Sequence, residues 1–189
     1  MKKSSKIILA GTLYFTLLFS AVTVKAEHFS GGFASGKLTV GAGGSSSVSI
    51  TKTALSQWNN VSSKVSLTYT TATDAYGSSA NIVTYFDTSN PPTAGLLGEM
   101  IPYKSWTGTS ASVGSTSDRW VKAVVYQYKN SSLDTTTKKT ATATHEIGHA
   151  LSVAHPSSSN TTAVMRQGVK TSYSLTSYDK DSLKNKWGK

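Results

Sequence analysis

The chemistry of this chain is concentrated in one stretch, His145-Glu146-Ile147-Gly148-His149-Ala150-Leu151-Ser152-Val153-Ala154-His155, which holds three of its four histidines. On a helix, His145 and His149 stand one turn apart on the same face, so both imidazoles can reach a single metal ion from one side. That ligand type at that spacing suits zinc. Glu146 lies beside the first histidine and can overhang the metal without ligating it. His155 follows six residues after His149. It closes a three-histidine site if the helix stops near Ser152 and the chain turns back. A fourth position then stays open for water, which is the arrangement of catalytic rather than structural zinc. The competing reading is an ordinary helix with surface histidines, and it requires the pattern to arise by chance in a histidine-poor chain.

The stretch resembles the zinc signature of the metzincin metallopeptidases, His-Glu-x-x-His-x-x-Gly-x-x-His. It departs at one position, where Ser152 replaces the family's glycine. That glycine ends the helix, usually with a positive φ, and permits the turn toward the third histidine. A serine held there costs about 1 kcal/mol, unless the turn is built differently. The resemblance implies one catalytic zinc on His145, His149 and His155, with Glu146 as general base in peptide-bond hydrolysis. Ala163-Val164-Met165 is similar to the Met-turn beneath the zinc in that family, although a methionine also serves as plain core filler. Pro156 resembles the serralysin branch. Gln167 stands where astacins and serralysins carry a tyrosine ligand, so no such ligand is expected.

Other elements must position this stretch. Gly36 to Val40 reads as a strand, and Gly41 to Ser45 as a loop. Ile50, Ala54, Leu55, Trp58 and Val61 recur at helical spacing, which predicts a helix from about Ser49 to Val61. Val65 to Tyr69 and Ala80 to Phe86 read as strands. Asn90-Pro91-Pro92 breaks the chain. Ala94 to Tyr103 then reads as a further strand, similar to the metzincin edge strand, and Pro102 near its end fits an edge position. Residues 104–120, rich in Ser, Thr and Gly, read as a long surface loop. Val121 to Tyr128 reads as a buried central strand, and the histidine-bearing helix starts near Asp134, a plausible N-cap. Thr140 to Thr144 is poor helix material, so packing must hold that turn. Thr176 and Asp179 have capping-box spacing, and Leu183 and Trp187 can share a buried face.

The order is similar to a matrixin catalytic domain over most of residues 36–188. That resemblance implies an α+β fold: a twisted, mostly parallel sheet with an antiparallel edge strand, packed on two long helices. A small lower subdomain would carry the Met-turn and the terminal helix. It also implies that Gly95, Leu96, Leu97, Gly98 and Glu99 align an extended peptide substrate by strand addition, and that Arg166 to Tyr173 shapes the pocket just beyond the scissile bond. Glu99 is either a determinant of substrate choice or a guard against edge aggregation. Residues 104–120 hold no histidine and only Asp118, so a second zinc is not expected, and nothing places calcium.

The 189 residues suffice for one core, and suggest a single domain over 27–189. Residues 1–26 read as a secretory signal peptide: Lys2, Lys3 and Lys6, an apolar run from Ile7 to Val24, and small residues before a cleavage point at Ala26. An uncleaved anchor, giving a membrane-anchored surface peptidase, is the alternative, because the run nearly reaches spanning length. The chain carries +10; without 1–26 it has 15 basic and 9 acidic side chains, a net +6. Scattered lysines give little support to nucleic-acid binding. Cysteine is absent, which with an export leader points to a Gram-positive exoprotein that depends on its core and on metal. The expectation is a secreted, monomeric zinc endopeptidase with protein or peptide substrates and no stable membrane association after leader cleavage. The rival from another class is a secreted zinc-containing binding module without catalysis.

Overall fold

Apolar runs of period two and period 3.6 alternate along this chain, and each becomes an element that buries one face. A computed structural model describes residues 27–44, 47–71, 79–107, 110–158 and 162–189; the leader expected at 1–26 lies outside them. The order is β1 (Lys37–Ala42), α1 (Ser47–Trp58), β2 (Ser66–Thr71), β3 (Ile82–Phe86), β4 (Gly98–Trp106), β5 (Ala111–Val113), β6 (Lys122–Gln127), α2 (Thr136–Ala150) and α3 (Ser177–Trp187). The described residues are thus α+β, with three helices and one mixed six-stranded sheet ordered β2-β1-β3-β6-β4-β5. β1 runs parallel to β2 and β3, and β3 parallel to β6; β4 is antiparallel to β6 and to β5. The helices are 12, 15 and 11 residues long, so length does not set two of them apart.

Strand alternation decides what each sheet face carries. Val40, Ile82, Phe86, Ala123 and Val125 join Ala54, Leu55 and Trp58 of α1 and Ala143 and Ile147 of α2 in one core, which also takes in Met165, Tyr178 and Leu183. Val83 and Val124 face the opposite side among Tyr85, Tyr103, Trp106 and Tyr126. Trp58 packs in the core as its helical spacing predicts. Its buried indole N–H also needs a partner, and it donates to the Thr144 carbonyl of α2 at 2.9 Å. Thr140 to Thr144 are all buried, so packing does hold that turn against its propensity.

Several boundaries differ from the sequence expectation. α1 ends at Trp58, not Val61, and Asn60 follows with φ 66°, a left-handed step that asparagine tolerates. The cap of α2 is Thr135, whose hydroxyl accepts from Lys138 N; Asp134 instead pairs with the Lys138 ammonium at 2.9 Å. The expected surface loop at 104–120 contains the end of β4 and all of β5. β4 is therefore only partly an edge. β5 covers it from Tyr103 to Trp106, while among the described residues Gly98 to Ile101 pair with β6 alone. Gly95, Leu96 and Leu97, expected in that strand, form an irregular lip ahead of it, with Gly95 at φ 84°.

The core also explains a glycine inside α2. A Cβ at Gly148 would collide with Met165 Sδ and lie 2.6 Å from Trp58 Cζ2. Gly148→Ala is expected to cost about 1–3 kcal/mol through overpacking, more than the helix gains from alanine. Denaturant midpoints of the two proteins check this.

Candidate metal centre

The turn that delivers the third histidine is built with a left-handed serine. α2 stops at Ala150, and Ser152 has φ 65°. Ser152 N donates to His149 O at 2.8 Å and Val153 N to Gly148 O at 2.9 Å, which satisfies the helix's last carbonyls. The strain of a serine in this conformation is offset by a segment to which the sequence reading gave no role. Phe29 N donates to Ser152 O at 2.7 Å, Ser152 Oγ donates to Gly31 O at 3.1 Å, and His28 bridges Val153 antiparallel. Lys186 of α3 donates to the carbonyls of Phe29, Ser30 and Gly31 at 2.9, 3.0 and 2.6 Å. The Phe29 ring stacks on His149, with centroids 5.6 Å apart.

His155 is thereby brought to both helical histidines. Its Nε2 lies 3.0 Å from His145 Nε2 and 3.0 Å from His149 Nε2. Each helical imidazole is fixed from behind: His145 Nδ1 donates to Val164 O at 2.8 Å, and His149 Nδ1 to Val153 O at 2.9 Å. A carbonyl can only accept, so Nδ1 carries the proton in both rings and Nε2 presents a lone pair. Lone pairs of neutral imidazoles converge in this way where a cation completes them. The set, with its nitrogens all within 4.8 Å of one another, fits a zinc ion in donor type, number and backing hydrogen bonds. Among the described residues Glu146 does not belong to the convergent group.

Burial keeps the imidazoles neutral. It pushes His145 well below the usual histidine range, with the His149 charge adding to the effect, and lowers His149 to about 4, with His155 adding. His155 is lowered by burial and by Lys170. The folded chain therefore binds fewer protons here than the unfolded chain does in acid. The stability these rings contribute is present above about pH 6.5 and is lost as pH falls toward about 4. Protons compete with metal for the same nitrogens over that range. A zinc-loaded sample is expected to release metal and lose thermal stability together between these limits, read by a chromogenic chelator and by melting curves.

Glu146 is buried and raised to about 8, first by desolvation and then by the Glu99 carboxylate, with Lys170 opposing. A dication beside it would favour the ionised form instead. Its side chain occupies space that only glycine leaves free: a Cβ at Gly98 would lie 2.7 Å from Glu146 Cγ and 2.8 Å from Oε1. β4 and α2 thus meet at a carboxylate fitted over a glycine.

These groups open on a cavity of about 390 Å³. Gly95 to Met100 form one side, all five of the expected substrate residues among them; Thr142, His145, Glu146 and His149 of α2 form the floor; His155, Gln167, Gly168 and Lys170 complete it. Glu99 also accepts from Tyr128 Oη at 2.9 Å.

Met165 is fully buried under α2, in the turn whose Val164 carbonyl holds His145. Asp179 fixes that turn. Its Oδ2 accepts from Val164 N at 3.0 Å, Thr176 N at 2.8 Å and Thr176 Oγ1 at 2.9 Å, and its Oδ1 accepts from Met165 N at 3.1 Å. The capping role was visible in the spacing from Thr176; the reach to the turn was not. Lys170 was not singled out by itself, but it lies in the Arg166 to Tyr173 stretch that the resemblance set beside the pocket, of which Gln167, Gly168 and Lys170 line the cavity. No protein-family model matches the chain, and no curated protein matches it significantly.

Proposed function

We propose that the chain is a secreted zinc-dependent endopeptidase of the metzincin type, closest to a minimal matrixin-like domain, acting on protein or peptide substrates. The observation that carries this reading is the convergence of three imidazole Nε2 atoms in a cavity wall beside a buried carboxylate that belongs to none of the ligand positions. The parallel strands β2-β1-β3-β6, the antiparallel β4 and the buried Met165 agree with that family's architecture.

His145, His149 and His155 would hold the zinc. When bound, zinc lowers the pKa of a coordinated water and polarises a carbonyl oxygen. Glu146 accepts the proton of the attacking water and passes it to the departing amine. The uncovered backbone of Gly98 to Ile101 offers main-chain hydrogen bonds to an extended peptide. Residues Arg166 to Tyr173 flank the side chain that follows the cleaved bond. A purely binding module has no use for a buried carboxylate held next to the metal ligands, since that carboxylate raises the difficulty of folding and adds no ligand.

Hydrolysis of quenched peptides and of denatured protein, with bound zinc quantified in parallel, tests the reading. About one zinc per chain, with cleavage abolished by a chelator and restored by zinc, is the expected result. Zinc without cleavage across a broad peptide panel would overturn peptidase function, and absence of zinc would overturn the site. N-terminal sequencing of exported material separates leader cleavage from membrane anchoring.

A further inference from the structure

The cavity lining also carries a cation that bond cleavage alone does not require. Lys170 lines the cavity beside Gln167 and Gly168 and is half-buried. An ammonium has three donors, and the hydrogen bond that Lys170 makes goes to the Gly168 carbonyl. The ion pairs among the described residues are Lys138–Asp134 and Lys139–Asp87; no carboxylate lies at that distance from Lys170. Asp179 is in its field, but both of its oxygens are occupied by the Met165 turn and Thr176. Glu146 is also in its field, and the proposed chemistry reserves that group for water. Glu99, the remaining cavity carboxylate, is engaged by Tyr128. Burial, and then the charge of Arg166, hold the Lys170 ammonium down to about 8. An anion arriving at this wall would offset both by stabilising the charged form.

We infer that Lys170 makes this wall a carboxylate-recognising subsite, so that the preferred substrates carry a carboxylate at the residue just beyond the cleaved bond. The inference rests on the peptidase reading above and deepens it. The carboxylate is that of an Asp or Glu side chain or that of a free C-terminus one residue past the cut. Both have the same chemistry toward an ammonium, and different peptides separate them.

The test uses zinc-loaded protein and peptides matched except at that residue: Asp against Asn, Glu against Gln, and short peptides ending there as free acid against amide. The charged member of the responsible pair is expected to show a kcat/KM about 10–100-fold higher, the range of a charge-assisted hydrogen bond. Lys170→Met, which keeps length and removes charge, should erase the preference, and Lys170→Arg should keep most of it. Binding of the same peptides to Glu146→Gln and to Glu146→Gln/Lys170→Met, measured by calorimetry, reads the subsite without turnover. Cleavage with no carboxylate preference, or a preference that survives Lys170→Met, would overturn the subsite and leave the peptidase reading standing. Carboxylate-dependent binding that Lys170→Met abolishes, without cleavage by the parent protein, would support the subsite and overturn the peptidase reading.

Discussion

Replacing Glu146 by glutamine is expected to lower peptide hydrolysis by about 10³-fold or more, the loss that follows removal of a positioned general base, while zinc content stays unchanged. The amide is isosteric with the carboxylate, so it fits the space over Gly98 that an extra Cβ would fill. It cannot take a proton from water. Zinc should be retained because the candidate ligand cluster among the described residues is His145, His149 and His155, without Glu146. The same substitution should move stability the other way in metal-free protein. A glutamate raised from 4.5 to about 8 by burial binds more protons in the fold than in the unfolded chain. The fold therefore loses stability as pH rises through that window. Glutamine has no charge to bury, and Glu146→Gln is expected to stabilise the metal-free chain at pH 7 by up to about 3 kcal/mol. Paired melting curves and rate assays read both effects. A variant that loses zinc along with activity would remove Glu146 from the base role and make it a structural part of the metal site.

Asp179→Ala is expected to be the most damaging change outside the ligands. Asp179 is fully buried, and its removal leaves the amides of Val164, Met165 and Thr176 without acceptors. Loss of several charge-assisted bonds at one buried site costs about 3–5 kcal/mol. Asparagine should rescue in part, because an amide oxygen at the Oδ2 position keeps three of the four bonds. Donors approach both oxygens, Met165 N at Oδ1 and the other three at Oδ2, so either amide orientation sets an NH₂ against an N–H. The Val164 carbonyl would lose its fixed place behind His145, and zinc affinity should fall about 10–100-fold, as for other groups that orient a ligand. Denaturation midpoints and competition with a zinc indicator measure the two losses. Intact zinc affinity in a folded Asp179→Ala protein would show that the turn keeps its shape without this anchor.

The helix carrying the histidines was legible because His145 and His149 share a period that a helix must honour. The core faces of α1 and β6 were legible for the same reason: Ile50, Ala54, Leu55 and Trp58 repeat at helical spacing, and Val121 to Tyr128 forms an apolar run. What the sequence left open was non-local. Ser152 reads as a poor helix terminator, because its left-handed conformation is secured by Gly31 and Phe29, far away in the chain. Gly95, Leu96 and Leu97 read as strand through their resemblance to the metzincin edge strand; in the fold Leu97 O accepts from Tyr128 N at 2.9 Å while the lip turns at Gly95. Lys170 is one lysine among many in the sequence; the resemblance set its stretch, Arg166 to Tyr173, beside the pocket, and the fold sets this side chain in the cavity lining. Local periodicity thus located two of the three candidate metal ligands, His145 and His149. Pairing over long distances decided which other side chains join them.

The brace around Ser152 has a consequence for when the site can exist. The three imidazoles come from a short stretch, but Ser152 bonds Gly31 across 121 residues, and Lys186 bonds Phe29 across 157. Closing loops of that length is slow and comes after local helix formation. In refolding experiments, zinc uptake should follow the helical signal and coincide with the slowest phase; uptake in the earliest phase would contradict this order. A growing chain acquires its zinc motif well before it acquires Lys186 to lock the segment that braces the turn. Any metal-dependent activity would then be withheld from a partly folded chain and would arrive only with α3.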